Sequence, residues 1–188
     1  MKNPTGPDRD ALVRILQDAY SGELAAALAY RGHWKSVKDP FQRETIQRIE
    51  NEEWDHRERV GRMLELLGEQ PVRSKEIRRR TIGRVIAIGC HMVGWFIPMY
   101  FAGRLEGQNI CAYDVAAIHA RALGLDEFEL ELLDMEAVEE GHEEFFRGLV
   151  ANHPMFPRMT RIFGWGGTIG KERCAVEPVT AGDESEVH

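Results

Sequence analysis

The chain has 188 residues, of which 43% are hydrophobic and 29% are charged, and its formal net charge is −7. This length and composition suffice for one globular domain with its own core. The acidic balance argues against a nucleic-acid partner, because neutralising phosphates requires a surface rich in Lys and Arg.

The ends of the chain and its cysteines indicate the setting of the protein. The N-terminal residues include no apolar segment of the kind found in a signal peptide. The three cysteines are far apart and form no C-x-x-C pair, so neither a disulfide framework nor a cysteine zinc or rubredoxin site is expected. We therefore expect a cytoplasmic protein. Residues 1–170 are expected to form a single domain with its core at 8–151, and residues 171–188 a disordered acidic tail.

Helical periodicity dominates the rest of the chain, and no segment alternates apolar and polar residues as a half-buried strand would. Four long blocks repeat apolar residues at intervals of three and four. They cover residues 8–38 and 41–67, a third block whose apolar stripe runs over 99–120, and residues 126–150. The predicted fold class is therefore all-α.

Polar residues interrupt the apolar stripe of every block near its middle, where the pattern calls for an apolar side chain. They are Glu23 in the first block, Glu53 and His56 in the second, Glu106 in the third, and Glu139 and His142 in the fourth. The two halves of the chain repeat this order: IENEEWDH at 49–56 matches MEAVEEGH at 135–142. A duplicated helical hairpin explains the repeat.

This set of residues predicts a dinuclear metal site. Residues at i and i+3 share a helix face, so four carboxylates and two imidazoles would meet in an apolar interior, where unneutralised carboxylates are unfavourable. Two divalent ions balance four carboxylates. One Glu from each of two helices, with Glu-x-x-His from each of the other two, is the ligand set of di-iron and di-manganese bundles. Oxygen-rich ligands favour iron, with manganese as the alternative, over zinc. The simpler alternative is that these residues form solvated helix faces with ordinary core histidines.

Other polar residues lie near the predicted ligands. Tyr30 and Tyr113 lie on the stripes two turns after the central Glu of their blocks, where a phenol can bond a metal ligand or serve as a core tyrosine. Glu50 and Glu136 lie beside the stripes, three residues before a predicted ligand, and we expect solvated or rim positions, with metal binding as the alternative. Four further histidines have no partner at the spacing of metal ligands: His33, His91, His119 and His153.

Two apolar segments lie outside the four stripes. Residues 85–103 contain no charged side chain, but Gly and Pro interrupt them, so we expect burial or contact with a membrane interface rather than a span. If the second and third long helices run parallel, residues 69–97 must cross the length of the bundle. The segment 155–167, MFPRMTRIFGWGG, is expected to anchor at an interface or to pack against the bundle or a second subunit.

The motifs resemble those of a known family. The segment GELAAALAYRG at 22–32 falls where demethoxyubiquinone hydroxylases, a group of ferritin-like di-iron proteins, have their first-helix motif. The order and spacing of the remaining motifs agree closely, and the resemblance covers about residues 10–150. It implies a ferritin-like four-helix bundle with a long apolar crossover between its second and third helices. It also implies two iron ions held by the six residues above.

The resemblance further implies a monooxygenase that uses O₂ and an external electron donor to hydroxylate a lipophilic quinone-type substrate. The spacing of Glu50 and Glu136 is more typical of rubrerythrins, so a di-iron peroxidase is an alternative. Iron storage and a metal-free helical interaction module are further alternatives. An apolar crossover on the outside favours contact with the inner face of the membrane or a homodimer over a free monomer.

Overall fold

Six α-helices form the secondary structure of residues 5–165, which are the residues that a computed structural model describes. In chain order the helices are α1 (Pro7–Ser36), α2 (Pro40–Leu66), α3 (Arg73–Gly89), α4 (Phe96–Ala122), α5 (Asp126–Val150) and α6 (Phe156–Phe163). The described residues include no strand, which confirms the predicted all-α class. The expected disordered tail lies outside the described residues.

Local sequence signals explain the ends of the long helices. α1 and α2 begin with a proline, whose missing N–H would have no helical partner in the first turn. The side chain of Asp39 caps α2 by accepting a hydrogen bond from a backbone N–H of that turn. Gly68 and Gly124 follow α2 and α4 with φ of 73° and 69°, a left-handed conformation that favours glycine.

The four long helices α1, α2, α4 and α5 surround a common interior. α1 packs against α2 and α4, and α5 packs against the same two helices, so each of the four has two neighbours in the group. One apolar cluster joins the start of α1 and α5 to the end of α2 and α4, and a second joins the opposite ends. α2 and α4 therefore run in the same direction, and the chain between them traverses the length of the interior.

This connection includes α3, which packs along α1. A Cβ on Gly83 of α3 would lie 2.5 Å from the backbone oxygen of Ala25, and a Cβ on Gly32 of α1 would lie 2.4 Å from the Cα of Ala87. Real Cβ atoms do not approach other atoms this closely. Glycine at these two positions therefore allows the backbones of α1 and α3 to come together.

We expect Gly83→Ala to lower the free energy of unfolding by about 1–3 kcal/mol, because the added methyl group would meet backbone rather than a flexible side chain. Gly148 in α5 has nothing within 4 Å of an added Cβ. The control Gly148→Ala should therefore raise that free energy by up to about 1 kcal/mol, since alanine is the better helix former. Chemical denaturation measures both, and equal stabilities of the two variants would contradict the close packing of α3 on α1.

The uncharged segment 85–103 divides into two parts with opposite environments. Phe96 and Met99 are buried in the first turn of α4. Val85 and Met92 are 63% and 80% exposed. Among the described helices, none has the length and apolar character that crossing a bilayer requires. The segment therefore links the interior to an exposed apolar surface at the end of α3.

The described part of the segment 155–167 packs on α4 and α5. Trp165 is 1% exposed, and its indole Nε1–H donates to Glu143 of α5 at 2.6 Å. The same ring lies against Gly103 of α4, where a Cβ would come within 2.4 Å of it. Ile162 nevertheless remains 60% exposed. Of the expected alternatives, packing against the rest of the chain is the one that the described part of this segment shows.

Two cysteines, Cys90 and Cys111, fall within the described residues. Cys90 directly follows α3 as a free thiol, and burial raises its pKa to about 11. Cys111 lies within α4.

Candidate metal centre

The six ionisable residues that interrupt the stripes lie together in the interior, between the two apolar clusters. α1 and α4 each supply one Glu, and α2 and α5 each supply a Glu and, one turn later, a His. Each of the six is at most 3% exposed: Glu23, Glu53, His56, Glu106, Glu139 and His142. Every residue that the sequence singled out as a ligand thus reaches one site.

Their oxygen and nitrogen atoms form two overlapping groups. The first group contains Glu23, Glu53, His56 and Glu139, and the second contains Glu53, Glu106, Glu139 and His142. Within each group, one atom from every residue lies within 4.8 Å of the others. Glu53 and Glu139 belong to both groups, and each group combines three carboxylates with one imidazole. Each group could hold a cation, and the two groups share two carboxylates.

Each imidazole faces a carboxylate of the opposite helix. His56 Nδ1 lies 3.1 Å from Glu139 Oε1, which is a hydrogen bond between α2 and α5. His142 Nδ1 lies 3.4 Å from both Glu53 Oε1 and Glu139 Oε2, and forms a hydrogen bond with neither. His142 Nδ1 is therefore held close to two carboxylates without forming a hydrogen bond to either.

Both predicted tyrosines bond a carboxylate of the cluster, and each bond crosses between α1 and α4. The hydroxyl of Tyr30 in α1 donates a hydrogen bond to Glu106 of α4. The hydroxyl of Tyr113 in α4 donates a hydrogen bond to Glu23 of α1. Each tyrosine thus orients the carboxylate contributed by the other half of the repeat. Such contacts fix the direction in which a ligand oxygen points.

Five polar atoms of the cluster have no hydrogen-bond partner among the described residues. They are Glu23 Oε2, Glu53 Oε1 and Oε2, Glu139 Oε2 and His142 Nδ1. Buried polar atoms are almost always paired, and an unpaired one destabilises the folded state. Carboxylate oxygens and an imidazole nitrogen are all electron-pair donors. Cations placed among these atoms would satisfy them together, so the residues present fit a metal centre.

Burial also changes the protonation of the carboxylates. Burial, followed by the charge of neighbouring carboxylates, raises the pKa of Glu23 and of Glu106 well above the usual value for Glu. Burial and the charge of Glu139 likewise raise the pKa of Glu53. Without a cation, these carboxylates therefore tend to hold protons in their place.

The remaining three ionisable groups behave as ion pairs. Burial works against charge at Glu139, but the adjacent imidazoles of His142 and His56 outweigh it and hold the pKa of Glu139 below its usual range. The same contacts outweigh burial at the imidazoles, so the pKa of His56 and that of His142 are both raised. In the metal-free protein, protons on the imidazoles thus balance part of the negative charge.

Glu50 and Glu136 are buried, so the expectation that they are solvated or at the rim is wrong. Glu50 is 6% exposed and accepts hydrogen bonds of 2.7 Å from Arg31 Nε and Trp34 Nε1. Glu136 is 1% exposed. A helix with packed neighbours on two sides buries more than one stripe. Periodicity locates the middle of the buried face and not its width.

Other residues near the cluster were not identified from the sequence. Glu52 Oε2 lies 2.8 Å from His142 Nε2, a contact that leaves His142 Nδ1 directed at the cluster. Glu143 is fully buried and accepts a hydrogen bond from the Nε1–H of Trp165. Glu52 and Glu143 are each adjacent in sequence to a predicted ligand, so the stripe pattern assigns them to another face. Only tertiary contacts reveal their role.

Three other histidines of the described residues lie outside the cluster. His119 Nδ1 lies 2.8 Å from Asp8 Oδ1, in the first turn of α1. The ring of His153 stacks on Phe96 with centroids 4.2 Å apart. His91 is exposed in the segment between α3 and α4. Their expected exclusion from the metal centre agrees with these positions.

Comparisons with known proteins identify no family for this chain. The chain matches no family model, and comparisons with curated proteins and with solved structures give no match. The function is therefore argued from the six-residue cluster and its surroundings.

Proposed function

We propose that this chain is a ferritin-like protein that binds two iron ions and hydroxylates a lipophilic quinone-type substrate with O₂. The observation that carries the proposal is the pair of overlapping ligand groups that share Glu53 and Glu139. Two divalent cations balance the four carboxylates of the cluster. Three carboxylates and one imidazole per ion suit iron, with manganese as the alternative metal.

The arrangement of the helices supports the ferritin-like part of the proposal. α1, α2, α4 and α5 each have two neighbours in a closed ring, and the connection between α2 and α4 runs along the outside of α1. Ferritin-like bundles have one such long crossover, and they build metal sites from inward-facing residues of all four helices. Each helix of the ring contributes at least one residue to the cluster.

The residues divide into three proposed roles at the metal centre. Glu23 with His56 would hold one ion, and Glu106 with His142 would hold the other. Glu53 and Glu139 would contact both ions. When bound, the iron pair supplies the redox chemistry that activates O₂. One oxygen atom of O₂ would enter the substrate ring and the other would leave as water, so an external donor must supply an electron pair.

The protein itself orients the ligands and excludes water. Tyr30 and Tyr113 hold two of the carboxylates, and Glu52 holds the imidazole of His142. The apolar clusters above and below the site are made of residues that are less than a tenth exposed. A dry interior strengthens the interaction of carboxylates with cations and protects reactive species from hydrolysis.

A lipophilic substrate requires access from a membrane, and the surface of α3 supports peripheral contact with anionic lipid. α3 carries six Arg or Lys residues and one acidic residue, in a chain whose net charge is −7. Exposed apolar side chains accompany them, including Val85 and Met92. Basic and apolar side chains together are typical of helices that lie in an anionic membrane interface.

The test is hydroxylation by the iron-loaded protein under isotopically labelled O₂. The substrate would be a prenylated benzoquinone with one unsubstituted ring position, presented in vesicles containing phosphatidylglycerol, with a chemical reductant as electron donor. We expect one labelled oxygen in the product, detected by mass spectrometry, and faster turnover than with neutral vesicles. Protein that contains two irons per chain and yet forms no labelled product would contradict the proposed activity while leaving the metal centre intact.

The burial of Glu136 supports a second candidate function. This carboxylate lies one helical turn before Glu139 and is 1% exposed, so an additional acid is present close to the cluster, as in rubrerythrins. A rubrerythrin-like peroxidase would consume hydrogen peroxide with the same reductant and would leave the quinone unmodified. Uptake of iron far beyond two ions per chain would instead indicate storage.

A further inference from the structure

Residues 151–165 form a strap that leaves the end of α5, includes α6 and returns along α4 and α5. Within α6, Met159 is buried and the other residues are exposed or partly exposed. Residues 161–164 are all exposed, yet Trp165, which follows them, is 1% exposed. The strap therefore lies on the surface of the bundle and inserts the indole of Trp165 into the interior.

The indole occupies a slot between α4 and α5 that fits it closely. A Cβ on Gly103 of α4 would lie 2.5 Å from the indole ring and 2.9 Å from the Cβ of Phe146, so the absence of a side chain at Gly103 makes room for the ring. Tyr100 meets the indole edge to face, with centroids 5.1 Å apart. From α5, the fully buried carboxylate of Glu143 accepts a hydrogen bond of 2.6 Å from the indole Nε1–H. The ring thus closes the interface between the two helices.

The slot lies at the depth of the metal cluster. Gly103 precedes Glu106 by one turn of α4, and Phe146 follows His142 by one turn of α5. Phe146 stacks on Tyr30 with centroids 5.8 Å apart, and Tyr30 donates a hydrogen bond to Glu106. Removal of the indole would therefore admit water and small solutes between α4 and α5 beside residues that contact the cluster.

The rest of the strap is held less firmly than the indole. Ile162 and Phe163 are 60% and 40% exposed. Arg104 Nε donates a hydrogen bond of 2.8 Å to the backbone oxygen of Phe163 at the surface, and the Tyr100 hydroxyl lies at the longer distance of 3.3 Å from the backbone oxygen of Trp165. Segments with little buried apolar area and exposed hydrogen bonds open at a lower free energy than the whole protein unfolds.

We propose that the strap is a gate that opens while the bundle stays folded. Opening withdraws the indole of Trp165 from its slot, and small solutes then reach the metal cluster between α4 and α5. Closing returns the indole to Gly103 and Glu143 and keeps the interior dry. The role of the gate at the cluster rests on the proposed metal centre, whereas the opening of the strap does not.

Hydrogen exchange of the Trp165 Nε1–H, followed by NMR in metal-free protein, tests the opening directly. The absence of the resonance in Trp165→Phe assigns it. We expect this proton to be at least about 100-fold less protected than the most protected backbone amides of α4 and α5, at a rate that low concentrations of denaturant leave unchanged. Protection equal to that of those amides, with the same denaturant dependence, would overturn the proposal, because the indole would then leave only when the bundle unfolds.

The rate of Co(II) uptake, measured by visible absorption after rapid mixing, tests the role of the gate at the cluster. Trp165→Ala empties the slot, and we expect uptake at least about fivefold faster with the same final number of ions. Ile162→Ala removes an exposed side chain from the same strap and is the matched control, for which we expect an unchanged rate. Equal rates in Trp165→Ala and the unmodified chain would overturn the role of the gate. A chain that takes up no Co(II) in any form would contradict the metal centre instead, and the exchange measurement would still decide whether the strap opens.

Discussion

Glu53→Ala is expected to abolish the binding of both metal ions, because Glu53 belongs to both groups of ligand atoms. Glu23 belongs to one group only. Glu23→Ala should therefore retain one ion, held by the second group, although with reduced affinity. Metal content after anaerobic loading with Fe(II) and gel filtration measures the difference between the two variants.

A control on the same helix separates the loss of a ligand from a general loss of charge. The side chain of Glu58 in α2 is 72% exposed and pairs with Arg62, so Glu58→Ala should bind two ions. Glu53→Ala should also unfold at a temperature no lower than the metal-free unmodified chain, because it removes two unpaired carboxylate oxygens from the interior. Undiminished metal content in Glu53→Ala would contradict the shared position of this carboxylate.

Without metal, the protein is expected to lose stability as the pH rises from about 6 to about 8. Burial, followed by neighbouring carboxylates, raises the folded-state pKa of Glu23 and that of Glu106 well above the ordinary 4.5 of a Glu side chain. Above pH 4.5 the folded chain therefore keeps protons that the unfolded chain has released, and each such group lowers stability by about 1 kcal/mol per pH unit until its folded pKa is reached. The raised pKa of His56 and that of His142 act in the same direction above 6.5.

Metal binding should reverse this dependence. Ligand carboxylates and imidazoles must be deprotonated to bind a cation, so binding releases up to about five protons per chain and strengthens as the pH rises. Mn(II), which resists oxidation in air, is a convenient probe for thermal unfolding measured across this pH range. We expect the stabilisation by Mn(II) to grow with pH in the unmodified chain and to vanish in Glu53→Ala. Metal-free stability that rises between about pH 6 and about pH 8 would contradict the protonated state inferred for the cluster.

The position of the cluster could be predicted because a polar residue on a buried stripe has no alternative environment. The stripe steps of three and four fix which side of the helix faces inward, and the repeat of Glu-x-x-His at matching depth indicates that the polar positions meet. Glu53 and Glu139 accordingly lie fully buried in the interior. The sharing of these two carboxylates between two groups depends on distances between helices, which periodicity does not contain.

The surroundings of the site were less predictable for the same reason. Glu50 of α2 is buried because α1 brings Arg31 and Trp34 to its carboxylate, and periodicity within one helix does not predict contacts with another helix. Glu52 bonds His142 across the interface between α2 and α5. Each of these roles arises from tertiary packing.

The two halves of the repeat exchange their contacts in a reciprocal way. Tyr30 and Tyr113 each bond the carboxylate of the other half, and the histidines of α2 and α5 each face a carboxylate of the opposite helix. A duplicated hairpin that pairs with its copy around an axis through the cluster would create such reciprocity. The site therefore belongs to neither half alone, and both halves are needed to complete either group of ligand atoms.

The most direct test of the central claim is the number of iron ions that the unmodified chain binds after anaerobic Fe(II) titration, with their magnetic coupling recorded by Mössbauer spectroscopy after oxidation. The account predicts two ions per chain, coupled to each other because Glu53 and Glu139 belong to both groups of ligand atoms and would hold both ions. A chain that binds no transition metal, or two uncoupled ions that persist in Glu53→Ala, would contradict the proposed dinuclear centre.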